Sequence, residues 1–302
     1  MTSSRLAHRV TTELFDLAEG VLWDDHASLV RWVDIRLGRL LAGHLVDDRI
    51  EIVQDAAFGQ TISAVALAAD GGLLLAGAHG FCAVSPAGEV THGPDIHSAS
   101  SEWRLNDGIV DPQGRFVIGT LSLDDDRHEA TEVLLRVSPN GLIETLRTGL
   151  GMSNGLGFSP DGATIFHIDT LAGTLSSHSY SSGPFDDSEP WHTIVSDFAY
   201  FADGMTVDAS GGLWVAQWGG ARICHFAQDG THIDDLEVNA TQPTCVGFVG
   251  PGLNRLAITS ARKGLESPHA AAGALFLADV GERGLPENRW AGSTVQPYWI
   301  HH

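Results

Sequence analysis

Six segments of this chain share one pattern, and their spacing limits the fold more than any other feature. Each has a small or polar opening residue, a short apolar run, a turn rich in Asp, Pro, Ser and Gly, and a second apolar run. They open at Glu19 (EGVLWDDHASLVRWVD), Ser63 (SAVALAADGGLLLAGA), Asn106 (NDGIVDPQGRFVIGT), Asn154 (NGLGFSPDGATIFHID), Asp203 (DGMTVDASGGLWVAQ) and Thr244 (TCVGFVGPGLNRLAIT). The steps between opening residues are 44, 43, 48, 49 and 41 residues. A period of roughly 40–50 residues is that of one four-stranded propeller blade. The turns D-P-Q-G, S-P-D-G and D-A-S-G suit tight hairpins, because Pro, Asp and Gly pre-set turn dihedrals. Runs such as RFVIGT and TIFHID are short and rich in strand formers. An α/β barrel would need a long helical stretch after each strand, and none is visible. The pattern therefore predicts an all-β chain, a six-bladed β-propeller occupying residues 1–302 as one domain. About 58 residues follow Thr244, slightly more than one blade. A strand near Val10 to Leu17 is expected to close the ring and remove its free sheet edges.

Charge narrows the partners. Lys and Arg total 17 against 38 Asp and Glu, a formal net charge of −21. Such a chain lacks the basic surface that replaces phosphate counterions on nucleic acid, and it is repelled by anionic membranes. No apolar stretch is long enough to span a bilayer, and Met1 to Val10 lacks the apolar core of a signal peptide. The three cysteines, Cys82, Cys224 and Cys245, are odd in number and show no C-x-x-C spacing, so buried thiols in a reducing cytoplasm are expected.

Equivalent positions in a radial repeat share one height around the axis, so the six opening residues are expected to ring the channel. Glu19, Asn106, Asn154 and Asp203 bring carboxylate or amide oxygen, and Ser63 and Thr244 bring hydroxyls. Converging hard-oxygen groups suit a divalent cation. The same residues could instead cap strands and fill a wet channel with hydrogen bonds. Histidines His79, His97 and His167 read as ordinary polar or core residues. The run Asp124, Asp125 and Asp126 reads as a solvated loop or as a donor of one carboxylate to the site. Trp103 and Trp218 fall beside the channel mouth, where Trp218 could line a pocket or pack between strands.

The segments LAEGVLW, RLNDGIVDPQGRFVIGT, SNGLGFSPDG, FADGMTVDASGGLWVA and ITSARKGL, running from Leu17 to about Leu265, resemble the SMP-30/gluconolactonase family, which includes luciferin-regenerating enzymes. The resemblance implies a six-bladed propeller with one divalent metal ion at the channel mouth (Ca²⁺, Zn²⁺, Mn²⁺, Mg²⁺ or Fe²⁺). By motif it implies Glu19, Asn154 and Asp203 as metal ligands, with Arg104 and Asn106 contacting substrate. Val21 and Ala202 stand where the family usually has proline, which alters backbone stiffness but no ligand. Where the family often has an acidic pair, this chain reads Leu121-Ser122-Leu123-Asp124, and Asp124 would contact substrate in place of a longer Glu. The implied reaction is hydrolysis of a sugar lactone to its aldonic acid. Water would be activated by Asp203 or by the metal, Arg104 would hold substrate oxygens, and Asn106 would donate to the oxyanion. The alternatives are hydrolysis of another ester, a non-sugar lactone or an organophosphate, or a non-catalytic binding propeller. A small-molecule lactone is the expected partner, and the protein is expected to be a monomer or weak dimer.

Overall fold

Each opening residue of the repeat lands on or immediately before the first strand of a four-stranded antiparallel unit. The computed structural model describes residues 5–96, 103–124 and 130–301. The first five units are β2(Ala18–Asp24) to β5(Arg49–Ala57), with β3(Leu29–Asp34) and β4(Arg39–Val46) between; β6(Ala64–Leu67), β7(Leu73–Ala76), β8(Gly80–Val84) and β9(Val90–Asp95); β10(Trp103–Val110), β11(Phe116–Ser122), β12(Glu132–Val137) and β13(Ile143–Leu150); β14(Ser153–Phe158), β15(Thr164–Asp169), β16(Thr174–Ser179) and β17(His192–Val195); and β18(Phe201–Val207), β19(Leu213–Trp218), β20(Arg222–Phe226) and β21(His232–Val238). The sixth joins β22(Pro243–Val249), β23(Arg255–Ser260) and β24(Phe276–Ala278) to β1(Arg5–Arg9) from the opposite end of the sequence. This is the six-bladed propeller that the period predicts.

The inner strands are buried from both sides, as strands packed between neighbouring blades must be. Every residue of β14 and of β22 is buried, whereas the outer β5 is largely exposed. Cys82, Cys224 and Cys245 are buried free thiols.

Ring closure departs from expectation in position. The closing strand is β1, and the Val10–Leu17 stretch is the connection that follows it. His8 and Arg9 pair antiparallel with Leu277 and Phe276, while Arg5 to Ala7 also run parallel to Leu236–Val238 of β21. The sequence RLAHR is polar and lacks an apolar run, because an outermost strand buries one residue, Ala7. Hydrophobic patterning therefore could not mark it.

The residues beyond Ala278 account for the excess length. They cross the end of the propeller formed by the first hairpin turns. Ala209 N donates to Arg283 O at 2.8 Å, Trp290 N to Leu67 O at 2.8 Å, Ala69 N to Trp290 O at 2.9 Å and Ala291 N to Gly114 O at 2.9 Å. Trp290 is 2% exposed and joins the apolar cluster between the second and third blades. Trp290→Ala is expected to cost about 3–5 kcal/mol, the range for deleting a buried large aromatic, read as a lowered midpoint in denaturant unfolding.

Candidate active site

A shared backbone irregularity aims the site residues. In five of the six units the inner strand carries one extra residue relative to its partner, at the position of the repeat's opening residue. The register shifts between Glu19 and Leu22, Leu105 and Gly108, Asn154 and Leu156, Ala202 and Met205, and Pro243 and Val246. A β-bulge bends the strand and re-aims the side chain at the irregularity. The second unit pairs without a shift from Ala64↔Ala76 to Leu67↔Leu73, and Ser63 does not reach the cavity. Close approach of the inner strands requires glycine beside two of these bulges. A Cβ on Gly155 would lie 2.6 Å from Asp203 O, and one on Gly204 would lie 2.9 Å from Cys245 Cα.

Glu19, Arg104, Asn106, Asn154, Thr170 and Asp203 form the polar floor of a cavity of about 260 Å³. Leu121, Met152, Leu171, Phe201 and Trp218 wall it, and Lys263 also lines it. The volume lies just under the ~300–1,000 Å³ of sites for drug-sized ligands, so it suits one small ring.

A continuous hydrogen-bond chain fixes the floor. Arg104 Nη1 donates to Asn106 Oδ1 at 2.7 Å. Asn106 Nδ2 donates to Ser153 O at 2.8 Å and to Asn154 Oδ1 at 2.9 Å. Asn154 Nδ2 donates to Thr170 Oγ1 at 2.9 Å, and Thr170 Oγ1 donates to Ala202 O at 2.6 Å. Thr170 thereby ties the amide nitrogen of Asn154 outward and leaves its oxygen toward Asn106. Both amide hydrogens of Asn106 are engaged, so the expected donation from Asn106 to an oxyanion is not available in this arrangement. Arg104 keeps Nε and Nη2 for a ligand, since both its hydrogen bonds leave from Nη1.

Electrostatics set the chemistry. Burial holds the Glu19 carboxyl well above the usual carboxylate range, helped by repulsion from Asp203 and Asp107. Asp203 is raised in the same direction, by burial and then by Asp107, against the pull of Arg104 and Lys263. Asp107 lines the channel below these groups and is pushed up by burial to about 6. Burial lowers Arg104 to about 10, with Glu19 and Asp203 opposing, so it stays charged near neutrality. Three carboxylates beside one guanidinium cannot all ionise cheaply without further positive charge. The donors are carboxylate and amide oxygens with no thiolate or imidazole, the set that suits a hard divalent cation. Glu19, Asn154 and Asp203 fit that role.

The other expected residues lie elsewhere. Thr244 Oγ1 donates to Ala18 O at 2.6 Å and can accept from Thr259 Oγ1 at 2.7 Å, so its hydroxyl joins blades six and one. Asp124 stands exposed beyond the end of β11, its N–H donating to Ser122 Oγ at 3.1 Å, and the structure does not bring it to the cavity. His97, Asp125 and Asp126 fall outside the described residues. His167 is buried behind the floor, with Nε2 2.8 Å from Ser153 Oγ, and Trp103 packs edge-on against His79 at 5.0 Å. Trp218 does line the cavity. Thr170 and Lys263 are additions that the repeat could not show, because both lie outside the inner strands. Cys224, His232 and Asp235 gather on the outer strands of blade five. There Asp235 is held by Arg222 Nη1 at 2.9 Å and by His232 Nε2 at 2.8 Å, while burial and Asp235 push the thiol up to about 12.

The profile of the family described as "SMP-30/Gluconolactonase/LRE-like region" matches residues 17–262. The chain belongs to this family. The matched span contains all six repeat openings and the whole hydrogen-bonded floor. The chain is similar to pentonolactonase XacC of Haloferax volcanii, 33% identical over 293 residues, covering 93% of this chain and 97% of the relative. The 6-deoxy-6-sulfogluconolactonase of Pseudomonas putida is 31% identical over 287 residues, covering 91% and 95%. A crystal structure of a calcium-binding protein, regucalcin, from Agrobacterium tumefaciens superposes with a TM-score of 0.87 at 27% identity, covering 96% of this chain and 99% of that one.

Proposed function

We propose that the protein is a cation-dependent lactonase that opens a sugar lactone to its aldonic acid. One observation carries this: Glu19, Asn154 and Asp203 converge in a small cavity beside an arginine with free donors. The family's pentonolactonase and sulfogluconolactonase members support the reaction class. Their names differ in ring and terminal substituent, so the cavity's own residues must decide the substrate here.

Glu19, Asn154 and Asp203 would hold a divalent cation, which would supply Lewis acidity toward the lactone carbonyl and neutralise the carboxylates. Arg104 presents Nε and Nη2 to ring or hydroxyl oxygens, and its planar fork fixes their orientation. Asn106 holds Arg104 and Asn154 in register and is a positioning residue. Asp203 accepts the proton of the water that attacks the carbonyl carbon and returns it to the ring oxygen as the acyl C–O bond breaks. Burial and Asp107 raise its proton affinity, which opposes the loss expected on charge neutralisation. The apolar wall limits access of bulk water to the floor.

The test is acid release at fixed pH from pentono- and hexonolactones, using cation-stripped protein and separate additions of Ca²⁺, Mg²⁺, Mn²⁺, Zn²⁺ and anaerobic Fe²⁺. Saturable turnover restored by a cation is expected. Folded protein that hydrolyses no lactone with any of these cations would overturn the reading.

Thr170→Val removes both the acceptor for Asn154 Nδ2 and the donor to Ala202 O at nearly constant shape. It is expected to weaken cation binding about 10- to 100-fold, as loss of groups that orient metal ligands does. Titration calorimetry on the purified variant measures it.

A further inference from the structure

The chain contains one lysine among 302 residues, against sixteen arginines, and that lysine lines the candidate active site. Many of the arginines are paired with carboxylates, among them Arg31 with Asp24 at 2.8 Å, Arg39 with Asp55 at 2.6 Å, Arg136 with Glu144 at 2.9 Å and Arg222 with Asp235 at 2.9 Å. Among the described residues Lys263 has no ion-pair partner.

Its backbone is nevertheless pinned where blade six meets blade one. Lys263 N donates to Asp16 O at 3.1 Å, Arg262 N to the same oxygen at 2.9 Å, and Ala261 bridges Leu17 two residues before Glu19. The side chain is exposed at the rim yet lines the same cavity as Asp203 and Arg104. Leu17, Ile35 and Trp218 line the cavity on the side of blade one, and Leu121, Met152 and Leu171 line it across the axis, so its wall is largely apolar. Among the described residues that line the cavity, polar side chains for further sugar hydroxyls are therefore scarce above the floor.

Charge counting gives the sign. A divalent cation balances Glu19 and Asp203, and Asp107 below the floor offsets Arg104, which among the described residues leaves Lys263 as the uncompensated positive charge facing the ligand in a chain of net charge −21. Arg104 is already fixed on the floor by Asn106. Lys263 is free to turn, and a compact ammonium with three donors accepts anions of several shapes.

We propose that Lys263 determines specificity by pairing with an anionic substituent of the lactone. The substrate class is then a sugar lactone that carries a carboxylate, sulfonate or phosphate remote from the lactone carbonyl. This rests on the lactonase reading and refines it.

The experiment compares matched lactones at fixed ionic strength: D-glucono-1,4-lactone with D-glucaro-1,4-lactone, and D-glucono-1,5-lactone with its 6-phosphate. The charged member of at least one pair is expected to have a kcat/KM about 10- to 100-fold higher, the scale of one hydrogen bond to a charged group. Lys263→Gln is expected to collapse that ratio toward one, and Lys263→Arg to restore part of it. A second readout needs no turnover. Amine labelling with trinitrobenzenesulfonate, mapped by mass spectrometry, reports on the single lysine directly. Glucarate is expected to protect Lys263 and gluconate to protect it far less. Equal protection by gluconate would assign the ammonium to the carboxylate formed on ring opening and overturn the proposal. Hydrolysis with no charged preference would overturn it while leaving the lactonase reading intact. Absence of all lactone hydrolysis would defeat that reading and the inference together.

Discussion

Replacing Asp203 by Asn is expected to lower kcat/KM for the best lactone by up to about 10⁴-fold, the upper range for loss of a general base, while the protein stays folded. The two side chains are nearly isosteric, and the amide oxygen can still accept the Gly204 N–H that now bonds the carboxylate. The same change should stabilise the cation-free protein. Asp203 is buried and repelled by Asp107, so an uncharged replacement relieves both costs. The variant is therefore expected to melt higher than the wild type in chelator and to gain less from added cation. Near-normal turnover in a cation-loaded Asp203→Asn protein would remove Asp203 from the proton-accepting role.

Stripping the cation should produce the second large effect. Turnover is expected to fall at least about 100-fold, because the carbonyl loses its electrophilic partner. A ligand at 100 times its Kd stabilises the native state by about 2.7 kcal/mol, so chelation should lower Tm by roughly 4 °C for a chain of 302 residues, whose unfolding entropy is about 2.1 cal/mol/K per residue. This loss should depend on pH. Glu19, Asp203, Asp107 (about 6) and Glu287 (about 7) all have raised folded-state values caused chiefly by burial. Groups raised in the folded state stabilise it below their unfolded pKa and lose that contribution as pH rises through the folded value. The cation-free protein should therefore lose stability between about pH 5 and about pH 8. Asp208 acts oppositely at the acid end, where its folded value is lowered despite burial by hydrogen bonds from His225, Ser210 and Trp214. A bound cation replaces the protons on Glu19 and Asp203, so its stabilising increment should grow with pH and its binding should release protons. Thermal melts with and without chelator across that range check the sign, and an increment that shrinks as pH rises would contradict it.

Much of the fold is written in local chemistry. Hairpin turns such as Asp111-Pro112-Gln113-Gly114 fix where each blade reverses, and apolar runs between them fix the strand count. The repeat alone also singles out Glu19, Asn106, Asn154 and Asp203, since equal phase in a radial repeat means equal height. The polar strand Arg5–Arg9 escaped because an outer strand buries too little to leave an apolar pattern. The reach of the tail around Trp290 escaped because its partners, Leu67 and Gly114, are far away in sequence.

The one-dimensional pattern determined the propeller, its phase and the family to which it belongs, because turn propensity and strand burial act over a few residues at a time. Tertiary structure alone decided which ring positions form the cavity. Bulges in five inner strands turn Glu19, Asn106, Asn154 and Asp203 inward, whereas the regular second unit leaves Ser63 out and the Ala18 and Thr259 contacts engage Thr244. It also placed Lys263 beside them and left Asp124 outside. Bulge direction and loop position depend on packing between blades that are remote in the chain, and no local sequence preference encodes them.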